Sequence, residues 1–382
     1  MSNKPTGTTR RSAIKTIGAL GAAAAIGTSG TSEAAAPASE DRAAGFAREL
    51  QLRIQQTPLV DTHEHLPDED ERLRGQQMAC DDWALLFSHY ANDDWISAGM
   101  SDETHRQLLA RNVDPATKWQ LLAPFWPAVK NTGYSRAVRI AIRELYGIDQ
   151  LDAAAIGRLQ DGYESMRKAG FYRKILVDLA KIESCQVNSL GNTPFKESKQ
   201  PTLLMQDLSI LGMHMGPDIK RFAPPTGKKV QDLADWHEVI GWWFDKYALY
   251  AVAVKSQAAY SRGLDFDQVP AEQAAAVFKK VLASDPILPQ EKKLLEDHLF
   301  WYAVRKATEF KLPVKLHTGY YAGQNNMLLD RLSHNPGSAA NLCRRAPDTR
   351  FVFMHICYPY YEELLAVAKH YANAYIDMCW SW

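Results

Sequence analysis

The spacing of apolar positions divides this chain into a helical block and a region in which short apolar runs alternate with helices. The run at 59–63 is apolar and turns polar at its end, and it follows a segment, 43–56, with helical spacing. From 81 to about 181 the spacing is helical again, with breaks at glycine and proline. The pattern predicts a first strand followed by a long helical segment.

Beyond residue 181 the pattern changes to strands that alternate with helices. The predicted strands are 182–187, 203–210, 250–254, 314–317, 351–355 and 374–378, and the predicted helices are 271–282, 289–310 and 361–371. Such alternation is typical of a parallel sheet. An ionisable residue lies at or next to the end of several strands, namely His63, Lys255, His317, His355 and Asp377. This favours an α/β barrel whose chemistry sits at the carboxyl ends of its strands.

The amino terminus has the pattern of a targeting segment. Arg10-Arg11 precede an apolar stretch at 17–26, and small residues lead to Ala36-Pro37-Ala38, which is similar to a signal-peptidase site. The paired arginines are similar to a twin-arginine signal. We predict a signal peptide at 1–38 and a periplasmic or secreted protein, with a disordered tail as the alternative. No other run approaches the roughly 20 apolar residues of a membrane span, so no stable membrane anchor is expected.

Composition excludes several classes of function. Lys plus Arg and Asp plus Glu each total 44, so no net charge attracts nucleic acid. The sequence contains neither a G-x-S-x-G elbow nor a glycine-rich phosphate loop, which argues against a serine nucleophile and against ATP or NAD chemistry. The five cysteines are scattered and odd in number, which predicts buried thiols. The expected partner is a small-molecule substrate, and homo-oligomerisation stays open.

Histidines at strand ends are the candidate metal ligands. His63 and His65 lie two apart, so in an extended segment both project from one face and can occupy two corners of a metal's coordination sphere. Asp61 is placed to hold one imidazole as a hydrogen-bond acceptor. A barrel brings all its strand ends together, which adds His317 and His355. The other histidines are treated as background: His89, His105, His214, His237, His298, His334 and His370.

Three motifs resemble those of the amidohydrolase superfamily, in its amidohydrolase-related (amidohydrolase-2) branch. They are Val60-Asp61-Thr62-His63-Glu64-His65, Val314-Lys315-Leu316-His317-Thr318-Gly319 and Val352-Phe353-Met354-His355. Val254-Lys255-Ser256, Ala259-Tyr260-Ser261-Arg262-Gly263-Leu264 and Tyr358-Pro359-Tyr360 are similar to segments of glutamine-synthetase-linked relatives. The helical insertion, about 68–180, is similar to theirs and to that of uronate isomerases. The resemblance covers most of 58–382 and implies a (β/α)8 TIM-type barrel at 43–382.

The resemblance also implies roles for individual residues. His63, His65 and His317 would bind a divalent metal, expected to be zinc, as one ion or two. His355 would be a further ligand, or a proton donor and electrostatic catalyst. Lys255 would bridge two metals if carboxylated, or else bind a substrate carboxylate or pair with a glutamate. Further candidates for substrate contacts, each of which could equally be a packing residue, are Tyr260, Arg262, Tyr320 and Tyr358.

At its carboxyl end the sequence departs from the pattern of the family. The eighth strand should supply an aspartate that binds metal and accepts the proton of the attacking water. Counted forward from His317 on the fifth strand, Asp377 falls on the seventh, and the chain stops at Trp382. We therefore expect a chain truncated before its eighth strand, with Asp377 not acting as the final aspartate.

Three functions remain open on the sequence alone. The first is metal-dependent hydrolysis of a C–N or C–O bond in a small polar or carboxylated substrate. The second uses the same metal site for non-oxidative decarboxylation or for uronate-type isomerisation. The third, from another class, is a catalytically inactive binding protein.

Overall fold

The computed structural model describes residues 37–75, 78–188, 193–322 and 328–379. Residues up to Thr57 and residues from Pro58 onward form separate units. The first contains one described helix, α1 (Pro37–Gln56), which begins earlier than the predicted 43. The predicted signal peptide falls almost wholly outside the described residues. Within the described residues, no helix has both the length and the apolar character of a membrane span.

The second unit is built on parallel strands. They are β1 (Leu59–Glu64), β2 (Ile182–Val187), β3 (Leu204–Gln206), β4 (Leu208–Ser209), β5 (Val254–Ser256), β6 (Val314–His317), β7 (Phe351–Met354) and β8 (Ala374–Ile376). One sheet has the order β1-β2-β3 and the other β4-β5-β6-β7-β8, with every pair parallel. The predicted TIM-type α/β barrel is confirmed, and among the described residues β8 and β1 do not pair.

The two sheets meet at Asp207, which lies between β3 and β4. Its backbone N–H donates to the carbonyl of Val187 at 2.9 Å, and the N–H of Leu208 donates to the carbonyl of Ala253 at 2.8 Å. The predicted strand at 203–210 is therefore a single barrel position interrupted at one residue.

The strand predicted at 250–254 is displaced along the chain. β5 begins only at Val254, because the N–H groups of Tyr250 and Ala251 both donate to the carbonyl of Tyr247 in a turn. Tyr250 is accordingly 73% exposed. Lys255 thus lies inside a strand rather than just after one.

Helices fill the segment between β1 and β2, as predicted for the insertion. They are α2 (Glu69–Arg74), α3 (Ala91–Ser97), α4 (Asp102–Leu108), α5 (Pro115–Leu122), α6 (Trp126–Val129), α7 (Gly133–Tyr146) and α8 (Ile156–Met166), with a 3-10 helix at Trp83–Phe87 and a π-helix at Arg173–Leu179. Their apolar sides form a separate core around Trp83, Phe87 and Trp95. Asp114 caps α5 by accepting the N–H groups of its first turn. The insertion therefore has a core of its own.

The remaining helices cover the strands. They are α9 (Leu211–His214), α10 (Ile219–Phe222), α11 (Leu233–Tyr247), α12 (Ala271–Ala283), α13 (Pro289–Glu309), α14 (Asn335–Arg345) and α15 (Tyr361–His370), with 3-10 turns at Pro224–Thr226, Ala258–Tyr260, Leu329–His334 and His355–Cys357. The main core packs α11 and α13 against β5, β6 and β7 through residues such as Trp236, Phe244, Phe300 and Phe351. This packing fixes the strands whose ends carry the polar residues.

Candidate metal centre

The histidines predicted at the strand ends converge on one place. His63 at the end of β1 and His65 just beyond it have their Nε2 atoms 3.2 Å apart. The ring centroid of His355 lies 4.8 Å from that of His63 and 4.5 Å from that of His317. The structure thus brings together four side chains that are up to 292 residues apart in sequence (His63 and His355).

The backbone carbonyl beside each ring indicates which of its two nitrogen atoms carries the proton. Nδ1 of His65 lies 2.9 Å from the carbonyl oxygen of Asn188, so it carries the proton and leaves the lone pair on Nε2. Nε2 of His317 lies 3.1 Å from the carbonyl of Tyr320, so His317 would present Nδ1 to a metal. Nδ1 of His355 faces the carbonyl of Cys379 at 3.3 Å, which leaves its lone pair on Nε2.

Burial keeps the four imidazoles neutral. It is the largest cause that lowers the pKa of His63 and of His317 well below the usual value, and neighbouring cationic groups act in the same direction. Burial also lowers the pKa of His65, and it lowers the pKa of His355 to about 3. Neutral imidazole is the form that binds a metal, so the cluster is in its ligand state at neutral pH.

The position of the His63–His65 segment depends on polar contacts from inside the barrel. Lys315 on β6 donates through Nζ to the carbonyl of Thr62 at 2.8 Å and to Asp207 Oδ2 at 2.8 Å. Lys315 and Asp207 are both buried, at 2% and 0% exposure. The hydroxyl of Thr62 donates to Asp377 Oδ2 at 2.5 Å, which links β1 to the end of β8.

Asp61 does not contact an imidazole as predicted. Its Oδ1 accepts the backbone N–H of His63 at 3.0 Å instead. The carboxylate of Asp61 therefore holds the backbone of His63 and not its ring. Nδ1 of His63 is buried and has no hydrogen-bond partner among the described residues.

A tight turn follows β7 and packs against the residues that follow β6. His355, Ile356 and Cys357 all have positive φ, at 61°, 48° and 55°. Gly319, also at positive φ, lies so close to this turn that a Cβ there would approach the backbone nitrogen of Tyr358 to 2.6 Å. Left-handed backbone is costly for residues other than glycine and often marks a functional site. The turn directs His355 toward His63 and His317.

Lys255 lies on β5 inside the barrel and is fully buried. Its Nζ has no hydrogen-bond partner among the described residues, so the structure shows no pairing with a glutamate. Burial lowers its pKa to about 7; Lys315 adds to this, while Asp207 and Asp377 oppose it. A substantial fraction of this amine is therefore uncharged near neutral pH. Lys255 does not line the cavity described below, and its predicted catalytic role stays a prediction.

A cavity of about 790 Å³ opens onto the histidine cluster. Tyr260 lines it, with its ring centroid 4.5 Å from that of His317. Tyr320 and Tyr358, 39% and 45% exposed, are not among the residues that line it. Of the predicted substrate contacts described by the structure, Tyr260 is therefore the one that the cavity supports.

Arg262, another predicted substrate contact, forms ion pairs with acidic side chains of the protein. Its guanidinium pairs with Glu296 at 3.2 Å and with Asp297 at 2.6 Å, and it lies over the ring of Phe266 at 4.4 Å from the centroid. Both carboxylates are buried, so the arginine neutralises them within the protein. This geometry gives the predicted substrate contact no support.

The helical insertion contributes two cavity residues that the sequence analysis missed. His89, which was treated as background, and the adjacent Tyr90 both line the cavity. His89 has a φ of 63°, and its pKa is lowered by burial. The detectable signal was a histidine and a tyrosine in the short break between two helical segments of the insertion.

Asp377 and Cys379 complete a compact donor group. Together with His63 and His355 they offer ligand atoms that all lie within 4.8 Å of one another. Asp377 was not expected to act as the final aspartate, yet its carboxylate lies beside the histidines. These donor types fit a divalent metal. The neighbouring pair of His63 and His65 also has a suitable spacing: their Nε2 atoms are 3.2 Å apart, and nitrogen ligands about 2.0–2.1 Å from a tetrahedral zinc lie roughly 3.3 Å apart.

The fold and these residues define a TIM-type barrel protein with a histidine cluster at the carboxyl ends of its strands. Residues 263–382 match the model of the amidohydrolase family. A curated relative, Protein fluG of Emericella nidulans, is 31% identical over 137 residues, which are 33% of this chain and 15% of that protein. This chain therefore matches only a small part of its curated relative's length.

Solved structures share the fold. Glucuronate isomerase from Caulobacter crescentus aligns with a TM-score of 0.66 and 15% identity, over 90% of this chain and 77% of that one. A Lactobacillus casei protein, provisionally assigned as a metal-dependent hydrolase, aligns with a TM-score of 0.51 and 18% identity, over 86% of this chain and 75% of that one. The predicted resemblance to the amidohydrolase superfamily is confirmed over 263–382, and the likeness to the uronate isomerase is one of fold. The resemblance implies a divalent metal.

Proposed function

We propose that this protein is a metal-dependent hydrolase that cleaves a C–N or C–O bond of a small polar or carboxylated molecule. The observation that carries the proposal is the cluster of neutral imidazoles at the inner end of a cavity of about 790 Å³. A cluster of this kind, held by backbone carbonyls, is suited to binding a metal. The amidohydrolase match over 263–382 supports the same conclusion.

The residues that would hold the metal, which we propose to be zinc, surround His63. His65 offers Nε2, His317 offers Nδ1 and His355 offers Nε2, as their backbone partners dictate. Bound there, a zinc ion would polarise a carbonyl and lower the pKa of a coordinated water toward neutrality.

His355 is presented as an acceptor rather than as a donor. Because its Nδ1 proton faces the carbonyl of Cys379, its Nε2 can take a metal or a proton. This differs from the proton donor that the resemblance implied. Tyr260 and His89, on the cavity wall, can hydrogen-bond a polar substrate. The helical insertion supplies His89 and so forms part of the substrate pocket.

Isomerisation of a uronate is the second candidate. The similarity to the Caulobacter isomerase extends over 90% of this chain, a span that includes most of the helical insertion. Sugar acids are small, polar and carboxylated, and they would fit a cavity of about 790 Å³. At 15% identity the likeness concerns the fold, so this reaction ranks second.

One assay separates these functions. Protein depleted of metal and reloaded with zinc would be incubated in ¹⁸O-labelled water with carboxylated amides, lactones and esters, with aromatic acids and with uronates. Hydrolysis predicts ¹⁸O in the product, decarboxylation predicts CO₂ without solvent oxygen in the organic product, and isomerisation predicts a product of unchanged mass apart from oxygen exchange. Metal-loaded protein that turns over none of these classes, or protein that binds no metal, would contradict the proposal and favour a binding protein.

We also propose export by a twin-arginine route, on the basis of Arg10-Arg11 and the apolar segment that follows. In a bacterial host, the full chain should be recovered from the periplasm or the medium. The variant Arg10→Lys/Arg11→Lys should remain in the cytoplasm, whereas the control Lys4→Arg should be exported. Equal export of the two variants would contradict this route.

A further inference from the structure

Cys379 lies in the donor group described above and has no role in the proposed hydrolysis. Its sulfur, the Asp377 carboxylate and one ring nitrogen each from His63 and His355 all lie within 4.8 Å of one another. Ligand atoms bound to one tetrahedral zinc at about 2.0–2.3 Å lie roughly 3.3–3.8 Å apart. The most distant atoms of the group therefore need to approach one another by about 1 Å to surround one ion.

The backbone around Cys379 is fixed by the other members of the group. Its N–H donates to Asp377 Oδ1 at 2.9 Å, and its carbonyl faces His355 Nδ1 at 3.3 Å. The backbone of Asp377 is paired on both sides with the end of β7, through Phe353 at 3.0 Å and Ile356 at 2.9 Å. The sulfur is thus held beside the histidines by short, ordered connections.

Charge supports the same assignment. One carboxylate and one thiolate would neutralise a divalent ion, so the complex carries no net charge in a largely buried setting. Lys255 is fully buried, lacks a hydrogen-bond partner among the described residues and interacts electrostatically with both Asp377 and Cys379. The amine of Lys255 therefore lies where it can interact with the carboxylate and the thiolate of the group.

We propose that Cys379 binds the metal as a thiolate, with His63, His355 and Asp377 as its companions. This rests on the proposed metal site, with which it shares His355, and adds Asp377 and Cys379 as anionic ligands on the side of His63. On binding, the thiol releases its proton to solvent and a metal–sulfur bond forms, without oxidation or reduction. Thiolate is a soft ligand that favours zinc over magnesium or manganese. The site should therefore keep zinc in the presence of excess magnesium.

X-ray absorption of the zinc-loaded full chain tests this directly. A zinc–sulfur shell at about 2.3 Å, beside nitrogen and oxygen ligands at about 2.0–2.2 Å, is expected. In Cys379→Ser that shell should vanish and zinc affinity should fall at least about tenfold, while Cys343→Ala, a buried thiol on α14, should keep the shell. The wild-type spectrum is informative even if a variant fails to fold.

The outcomes separate this inference from the proposed function. Zinc bound by nitrogen and oxygen alone would overturn the thiolate and leave the hydrolase proposal intact. A sulfur shell that persists in Cys379→Ser would also overturn it. Wild-type protein that binds no zinc would overturn both. The cobalt-substituted protein gives a second reading: a thiolate-to-cobalt charge-transfer band present in wild type and absent from Cys379→Ser supports the assignment.

Discussion

The ends of β1 and β6 both supply histidines to the same cluster, but they are held in different ways. All four residues of β6 are buried, and His317 is fixed by packing on either side. On β1, Leu59 and Val60 are 47% and 51% exposed. His63 and His65 therefore depend less on packing.

Polar contacts replace packing at β1. Lys315 reaches from β6 to the carbonyl of Thr62, the hydroxyl of Thr62 reaches Asp377, and Asn188 accepts from His65. The difference teaches that a strand with exposed residues can still position metal ligands when buried hydrogen bonds fix its backbone. Removing these bonds should affect β1 more than β6.

The largest effect is expected from Lys315→Met. The change leaves Asp207 buried and without its cation, which should lower the free energy of unfolding by about 3–5 kcal/mol. Urea denaturation measures it. The double variant Lys315→Met/Asp207→Leu removes the stranded charge and should recover most of the loss. A single variant within about 1 kcal/mol of wild type would contradict the role given to this pair.

Arg262→Met breaks a comparable polar network away from the cluster. We expect a loss of about 2–3 kcal/mol, because Glu296 and Asp297 lose charged hydrogen bonds while Lys292 and Lys293 remain beside them. Metal content should not change, and any change in KM should accompany the loss of stability, because Glu296 also lines the cavity. A raised KM with unchanged stability would instead support the prediction from the sequence that Arg262 contacts the substrate. Denaturation and steady-state kinetics distinguish the two results.

Thr62→Val tests the link between β1 and the end of β8. Losing the hydroxyl that donates to Asp377 should lower stability by about 1–2 kcal/mol and weaken metal binding by roughly tenfold. Metal titration and urea denaturation provide the two readings. Thr226→Val is the control: its hydroxyl donates to the carbonyl of Ala223 and accepts the N–H of Lys228, so its loss should leave metal affinity unchanged. Equal metal affinity in both variants would show that the link does not position the ligands.

The smallest effect is expected from His89→Ala. Loss of one neutral hydrogen bond to substrate, about 0.5–1.5 kcal/mol, should lower kcat/KM by up to about tenfold. Metal content should be unaffected, because His89 approaches the site from the insertion. His105→Ala is the matched control: this histidine bonds Asn92 within the insertion and does not line the cavity. Equal kcat/KM values in the two variants would show that His89 does not contact the substrate.

The sequence was sufficient to predict the barrel and the convergence of its histidines. Strands alternating with helices and polar residues at strand ends are local patterns, and parallel topology brings such ends together. The pattern of one sequence does not show which side chain will form an ion pair with a buried charge. Arg262 therefore looked available for substrate, although Glu296 and Asp297 on α13 bind it.

The sequence pattern also did not predict which loop residues lie close to the histidine cluster. His89 faces the cavity because the insertion folds on its own core, and Cys379 reaches the cluster through hydrogen bonds to the end of β7. Asp377 was set aside by counting strands, but the contact with Thr62 brings it next to β1. In each case the decisive contact joins residues that no periodic pattern connects.

Metal content tests the central claim that His63 anchors a metal centre at the ends of these strands. Wild-type protein produced with added zinc would be compared by elemental analysis with His63→Ala and with the control His370→Ala, after circular dichroism has shown all three to be folded. The account predicts at least about one zinc per chain in wild type and in His370→Ala, and loss of stoichiometric zinc in His63→Ala. Full zinc content in folded His63→Ala would contradict it.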